Sequence, residues 1–364
     1  MNERKKFYNL QVCRGIAAII VLLAHANLLI NKDIFSGFFI VGWSGVDFFF
    51  VLSGFIIYYI NIDCIAQKNT FKEYLSKRLI RVYPIYWVYT FCAILLHVLL
   101  FRFSNIKLIT WIDLNALSLY KSILLYPTHV TANEMPILPI AWTLSYEVLF
   151  YIIFGICILV GRKFSAYIIL FWIIGILLKM FSIINTANNP LLETLFSDRN
   201  FEFLYGCLIA ELTLLNKIIN KTSQSITILS IAILFLAVSW INEAFTLNIV
   251  PKRDILTFGI PYSLIIYALI SLDTFKIKTR FKSGLVYLGD ASYSIYLTHF
   301  IGIVILNSFI HKFITNDYAI FLIIVTILTV LGCCCYSYIE KPILKYINKK
   351  LSNAGIKYSE LKKN

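Results

Sequence analysis

Long apolar runs, broken by short polar segments, follow one another along almost the whole chain. A helix needs about 20 mostly apolar residues to cross the hydrocarbon of a bilayer. Ten segments reach or approach that length, at residues 9–30, 36–61, 82–103, 141–161, 164–184, 201–216, 223–241, 254–273, 283–309 and 318–339. The pattern predicts an all-α, polytopic membrane protein of about ten transmembrane helices. Residues 104–140 do not fit a span. The apolar stretch Leu114–Leu125 is short, and Pro127, Pro136 and Pro139 follow it, which predicts a re-entrant or interfacial segment. The N-terminus superficially resembles a signal peptide. Arg14 and His25 interrupt its apolar stretch, however, and it outruns a leader's apolar core, so an uncleaved first helix is expected. One membrane domain over residues 1–343 and a short basic cytoplasmic tail over 344–364 complete the expected organisation, with no linker and no internal repeat.

Composition removes the alternatives. Of 364 residues, 59% are hydrophobic and 14% charged, against about 45–50% and about 25% in soluble domains. The mean hydropathy is +0.78. Such a chain cannot hide its apolar surface in a water-soluble core. With 15 Gly, 8 Pro and 8 scattered Cys it is neither collagen-like, disordered nor a disulfide scaffold. Cys13, Cys92, Cys157, Cys207 and Cys333 to Cys335 lie in apolar runs without metal-ligand spacing, and are expected to be small core residues.

The net charge of +14 suggests nucleic acid only until its placement is considered. Lysine and arginine cluster between apolar runs, and no soluble basic module exists to bind nucleic acid. With the N-terminus inside, 23 of the 33 basic residues fall in inner segments and nine at outer ones, leaving Arg14 within a helix. That asymmetry predicts both termini in the cytoplasm and an even number of spans.

Polar groups within spans are costly and tend to face an interior cavity. Arg14 and His25 share the first helix. Eleven residues bring them within about 20° of whole turns and separate them by about 16 Å, so both face one way. Arg14 lies near the inner surface and His25 past mid-membrane, which suggests a substrate pocket running through the bilayer. Asp47 is a lone carboxylate in a Phe-rich run that ends at Ser53-Gly54-Phe55. It is placed to orient an imidazole or to pair with a base such as Arg14. Ser53 and Gly54 permit close approach of a ligand or of another helix. Arg78 and Arg81, at the inner start of the third span, share a face and suit one anionic group, or else anchor the helix at the surface. Trp142-Thr-Leu-Ser145-Tyr146-Glu147 opens the fourth span with a carboxylate, and Arg199-Asn-Phe-Glu202 opens the sixth with another. The ninth carries Asp290, Ser292, Tyr293, Ser294, Tyr296 and His299, a polar stripe that fits a sugar and equally fits interhelical hydrogen bonding. Glu340-Lys341-Pro342 reads as a structural stop after the last span. No metal site is expected.

Taken in order, these motifs resemble the acyltransferase-3 family. They are Arg14-(ten residues)-His25, Asp47 with the run to Phe55, Arg78-x-x-Arg81-x-x-Pro84, Trp142-x-Leu-Ser-x-Glu147, Glu202-Phe-x-x-Gly206, Ser292-Tyr-Ser-x-Tyr296-Leu-x-His299 and Glu340-Lys-Pro342. The resemblance covers about residues 7–343 and implies a bacterial inner-membrane O-acyltransferase of surface carbohydrates. It implies an acyl-CoA donor, acetyl-CoA foremost, taken as substrate rather than held permanently, and a carbohydrate hydroxyl as acceptor. Arg14, Arg78 and Arg81, with Ser53 and Gly54, become donor-binding candidates. His25 becomes the base or transient acyl carrier, with Asp47 or Glu147 fixing its tautomer. Ser292, Tyr293, Tyr296, His299 and Glu202 become acceptor-binding candidates. Many polysaccharide-modifying members carry an extra periplasmic domain, which this sequence lacks, so a mechanism using one is expected to need a separate protein. A multi-span transporter or flippase for an anionic or carbohydrate substrate is the alternative, disfavoured by the lack of an inverted repeat or paired broken helices.

Overall fold

A computed structural model describes residues 5, 7–104, 108–112, 114–129, 134–219, 221–247, 254–272 and 280–353. The basic loop residues Lys276 and Lys278, and residues 354–364 of the expected tail, lie outside the described residues. The helices in chain order are α1 (Tyr8–Ile30), α2 (Gly45–Asn61), α3 (Phe71–Ser104), α4 (Ala116–Ile123), α5 (Trp142–Val160), α6 (Arg162–Met180) and α7 (Pro190–Leu195). They continue with α8 (Asn200–Leu214), α9 (Thr222–Ala244), α10 (Ile260–Leu272), α11 (Arg280–Ile310), α12 (Asp317–Cys335) and α13 (Lys341–Asn353). By internal contacts the chain forms two units, Asn2–Ile60 with Phe201–Tyr336, and Asn61–Asn200 with Ser337–Asn364.

In the first unit α1 packs most extensively on α11. A methyl group added to Gly15 would stand 2.9 Å from the backbone nitrogen of Gly289, and one added to Gly289 would overlap the Gln11 carbonyl. Small residues let backbones close up in a bilayer, where lipid tails are as apolar as leucine and burial alone drives little association. The two helices run in the same direction. Gly15 meets Gly289, and ten residues further along each helix His25 meets His299. A second parallel pair is α2 and α8. Phe50 stacks on Phe203, the Cys207 thiol approaches the Gly54 carbonyl at 3.6 Å, and the Tyr58 hydroxyl donates to Glu211 at 2.8 Å, all at one sequence offset of 153. Between α1 and α2 the chain turns through Phe35 and Ser36, both at positive φ, into a 3₁₀ stretch ending at Ser44. The Asn27 side-chain amide holds this turn by donating to the carbonyls of Asn31, Lys32 and Ile34.

Among the described residues, nine helical stretches are long and apolar enough to cross a membrane. The expected span 201–216 forms α8, which has only 15 residues and a length of about 22 Å. Direction nevertheless makes it a crossing. Two parallel spanning helices must have an odd number of crossings between them. Between α1 and α11 lie six long spans, and α8 is the seventh. Its parallel run beside α2 agrees, and the count returns to ten.

In the second unit α3 and α5 run antiparallel, with the Tyr74 hydroxyl donating to the Tyr151 carbonyl at 3.2 Å. The third span begins earlier than its apolar run, at Phe71 rather than near residue 82. Charged residues hide this turn-rich start from hydropathy, while the Glu73–Lys77 pair at i,i+4 supports it as helix. Within the segment 104–140, the end of α4 lies against α3. Tyr83, Tyr86 and Trp87 donate to the carbonyls of Leu124, Ser122 and Ile123 at the end of α4, at 2.8, 2.7 and 2.9 Å. The expected stop at Pro342 is not one. A π-turn over Tyr336–Glu340 carries α12 on into α13, where Pro342 occupies the second position. A proline lacks the N–H that an α-helical ladder needs, and here the ladder already departs from α-geometry in the adjoining π-turn. Two of the cysteines expected in the core, Cys92 and Cys334, are on the surface instead. All eight are free, and Cys64 and Cys157 are buried. On a lipid-facing helix an apolar run does not imply burial.

Candidate functional site

The first unit holds ten of the thirteen candidate residues, six of them on α1 and α11. His25 is half-buried, and its Nδ1 lies 2.9 Å from the Val21 carbonyl and 3.2 Å from Nε2 of His299. His299 is fully buried, and its Nδ1 lies 2.6 Å from the Tyr296 carbonyl. The two imidazole centroids are 4.9 Å apart, Phe300 packs edge-on against His25 at 5.5 Å, and Tyr296 lies 5.6 Å from His299. The sequence suggested both histidines, in separate roles. Their pairing was not legible, because 274 residues lie between them. The hydrogen bonds that orient His25 come from Val21 and His299 rather than from the Asp47 carboxylate.

Toward the other end of the same helix pair, Arg14 donates to the Gln11 side-chain oxygen at 3.1 Å, and the Gln11 amide donates to Asp290 at 2.6 Å. A polar chain thus joins α1 to α11 at the arginine level as the histidines join them at theirs. Gln11 was overlooked in the sequence, although it lies three residues before Arg14 on the same helical face.

Asp47 and Glu202 are fully buried at the starts of α2 and α8. Tyr262 lies within electrostatic range of both, its hydroxyl 3.3 Å from that of Ser44. Glu202 also lies against Gly259, the last residue of the π-turn Ile255–Gly259 that leads into α10. Gly54 packs α2 on α8: the backbone of Phe203 occupies the space that a Cβ would need. Ser53 is half-buried beside it. On α11, Ser292 is buried with no hydrogen-bond partner for its hydroxyl, Tyr296 is buried, and Tyr293 is half-buried.

The second unit holds Arg78, Arg81 and Glu147. The arginines do not sit at the start of their helix, since α3 begins seven residues before Arg78. They lie beside the middle of α5, within electrostatic range of Tyr151, nine residues from either end of that helix. Arg78 is 8% exposed, its guanidinium lies 6.0 Å over the Tyr74 ring, and its Nε has no hydrogen-bond partner. Glu147 accepts a 2.5 Å hydrogen bond from the Tyr151 hydroxyl. Tyr74 and Tyr151, which frame this group, carried no recognisable signal in an aromatic-rich sequence.

Helices of spanning length that carry histidines, carboxylates and arginines define a multi-pass membrane protein. The family model described as "Acyltransferase domain", of the acyltransferase-3 family, matches residues 7–338, and the chain belongs to that family. It is therefore a membrane-embedded acyltransferase. Among curated proteins it is similar to the exopolysaccharide production protein ExoZ of Rhizobium meliloti (strain 1021). The two are 25% identical over 327 residues, covering 87% of this chain and 94% of ExoZ. It is also similar to the putative peptidoglycan O-acetyltransferase YrhL of Bacillus subtilis (strain 168), 25% identical over 336 residues, 83% of this chain and 50% of YrhL. The chain thus spans nearly all of the first relative and about half of the second. No solved structure matches it.

Proposed function

We propose that this protein moves an acyl group, acetyl foremost, from cytoplasmic acyl-CoA to a hydroxyl of a cell-surface carbohydrate or its lipid-linked precursor, within a bacterial inner membrane. Family membership supports acyl transfer, and the relatives' names, exopolysaccharide production and peptidoglycan O-acetylation, support a surface carbohydrate. The observation that carries the chemistry is His25, a half-buried imidazole held inside a spanning helix by two hydrogen bonds. A sugar hydroxyl is a weak nucleophile at neutral pH and needs a base as it attacks a thioester. Imidazole, which titrates near neutrality, suits that task. The hydroxyl oxygen bonds to the thioester carbonyl carbon while its proton passes to His25. The carbon–sulfur bond then breaks, and the departing thiolate takes up a proton.

The donor's phosphates call for arginine. Arg78, buried on an aromatic face with Nε unused, is the foremost candidate, with Arg81 and Arg14. Ser292, Tyr293, Tyr296 and Glu202 are the acceptor-side candidates, and Asp47 and Glu147 are the carboxylate candidates. The test is radiolabelled acetyl-CoA incubated with membranes containing the wild type or His25→Ala. Label should enter carbohydrate with the wild type. His25→Ala should keep expression and donor binding but lose transfer by the about 10²–10⁴-fold typical of an absent general base. A His25→Ala protein that acylates carbohydrate at the wild-type rate overturns the assignment, and a wild type that moves no label overturns the function.

A further inference from the structure

We propose that His299 is a positioning residue: its imidazole holds His25 so that the Nε2 lone pair of His25 is the one presented to the acceptor hydroxyl. This rests on His25 as the base and goes beyond that reading by assigning the nitrogen and the group that fixes it.

The argument follows the hydrogen bonds. A backbone carbonyl only accepts, so a ring nitrogen at hydrogen-bond distance from one carries a proton. His299 Nδ1, 2.6 Å from the Tyr296 carbonyl, is therefore N–H. In the neutral ring its Nε2 is then a bare acceptor. His25 Nδ1, 2.9 Å from the Val21 carbonyl, is likewise N–H. That one N–H is shared between the Val21 oxygen and His299 Nε2, 3.2 Å away, and the two assignments agree at every contact. What remains is His25 Nε2, unprotonated in the neutral ring and free of the helix's own carbonyls.

Each acceptor does a different job. Val21 sits on α1 itself, four residues before His25, and ties the ring to its own helix. His299 sits on α11 and fixes the ring's rotation relative to the neighbouring helix, with Phe300 closing the edge of the ring. When Nε2 takes the hydroxyl proton, the resulting imidazolium keeps Nδ1–H on two acceptors. His299 thus fills the place of the third group in a nucleophile–base–orienter arrangement, without introducing a fixed charge into an apolar interior. The close approach of Gly15 to Gly289, ten residues before the pair on both helices, sets the spacing that allows a 3.2 Å contact.

A positioning role and an acceptor-binding role for His299 make opposite kinetic predictions. His299→Leu removes the acceptor while remaining apolar. It should lower kcat at least about tenfold, and by no more than the about 10²–10⁴-fold expected for loss of the base itself, and leave KM for both acyl-CoA and carbohydrate unchanged. His299→Gln should recover most of the rate, because its amide oxygen stands as many bonds from Cα as the Nε2 atom. His299→Asn, one bond shorter, should not. In a His25→Ala background, His299→Leu should cost nothing further, since there is no longer a ring to position. Donor binding and melting temperature report folding, and the Gln/Asn comparison serves if the leucine variant does not fold. A raised acceptor KM with kcat intact overturns the proposal in favour of sugar binding. Failure of Gln to outperform Asn overturns it, as does an equal loss from His299→Leu with and without His25. If instead His25→Ala is itself active, the base assignment has failed, a result separate from any of these.

Discussion

Replacing Gly15 by alanine probes how tightly helix spacing is coupled to the chemistry. The new methyl would lie 2.9 Å from the Gly289 nitrogen and from the Leu288 Cβ, whereas ordinary contact begins at 3.4 Å, so α1 and α11 must part by about 0.5 Å. Carried along two stiff parallel helices, that shift lengthens the 3.2 Å contact between His25 and His299 to about 3.7 Å, beyond a useful hydrogen bond. Overpacking costs about 1–3 kcal/mol. The gain in helix propensity from Gly to Ala offsets about 0.8–1.0 kcal/mol of it, leaving a net loss of up to about 2 kcal/mol. The rate should fall as well as the stability. A misplacement of about 1 Å can cost about 10²-fold, so about half that displacement should cost about tenfold in kcat. Gly284→Ala on the same α11 is the control, since no atom lies within 4 Å of its added Cβ. The assay is acyl transfer and thermal unfolding of both variants in nanodiscs. Gly284→Ala should match or exceed the wild type in both. A Gly15→Ala protein that melts and turns over like the Gly284→Ala control would refute the reasoning.

Two further expectations concern the donor and the topology. Arg78→Ala and Arg81→Ala should each raise the apparent KM for acyl-CoA in a folded protein, with lysine rescuing only in part because it lacks the bidentate fork; unchanged KM in both alanine variants would return these residues to a structural role. A reporter placed between α8 and α9, near Lys217, should be cytoplasmic, because the parallel helix pairs require α8 to cross. An external signal there would leave only an even number of crossings between α1 and α11 and contradict their shared direction.

Element type was readable in the sequence because bilayer crossing imposes a length and an apolarity that few other structures need. Ends were less readable. The first turns of α3 are rich in Lys, Arg and Glu, so its helix extends where hydropathy falls away. Helix continues past Pro342 through α13, next to a π-turn that hydropathy does not reveal. The candidate site was legible one helix at a time. Arg14 and His25 share a face by simple periodicity, and the intramembrane charge of Asp47, Glu202 and Asp290 marks them without any partner in view. What periodicity cannot supply is which helix each face meets. The contact of His25 with His299, and that of Gln11 with Asp290, depend on the close approach of Gly15 and Gly289, a property of two segments separated by most of the chain. The arginine pair on α3 is hidden for a related reason: its neighbour, Tyr151 at the middle of α5, cannot be read from its own sequence.

The pairing of α1 with α11 also has a bearing on how the protein is made. The two histidines are 274 residues apart, and at a synthesis rate of about 5–20 residues per second that separation takes about 14–55 s to traverse. Through that interval the first helix is already in the bilayer, with Arg14, Gln11 and His25 awaiting the strip of α11 that will receive them. Polar groups in a lone membrane helix are costly, so the nascent chain carries a debt that only its penultimate span can settle. Assembly of the reactive pair is thereby tied to near-completion of the chain, and a product truncated before residue 299 has no means of assembling it.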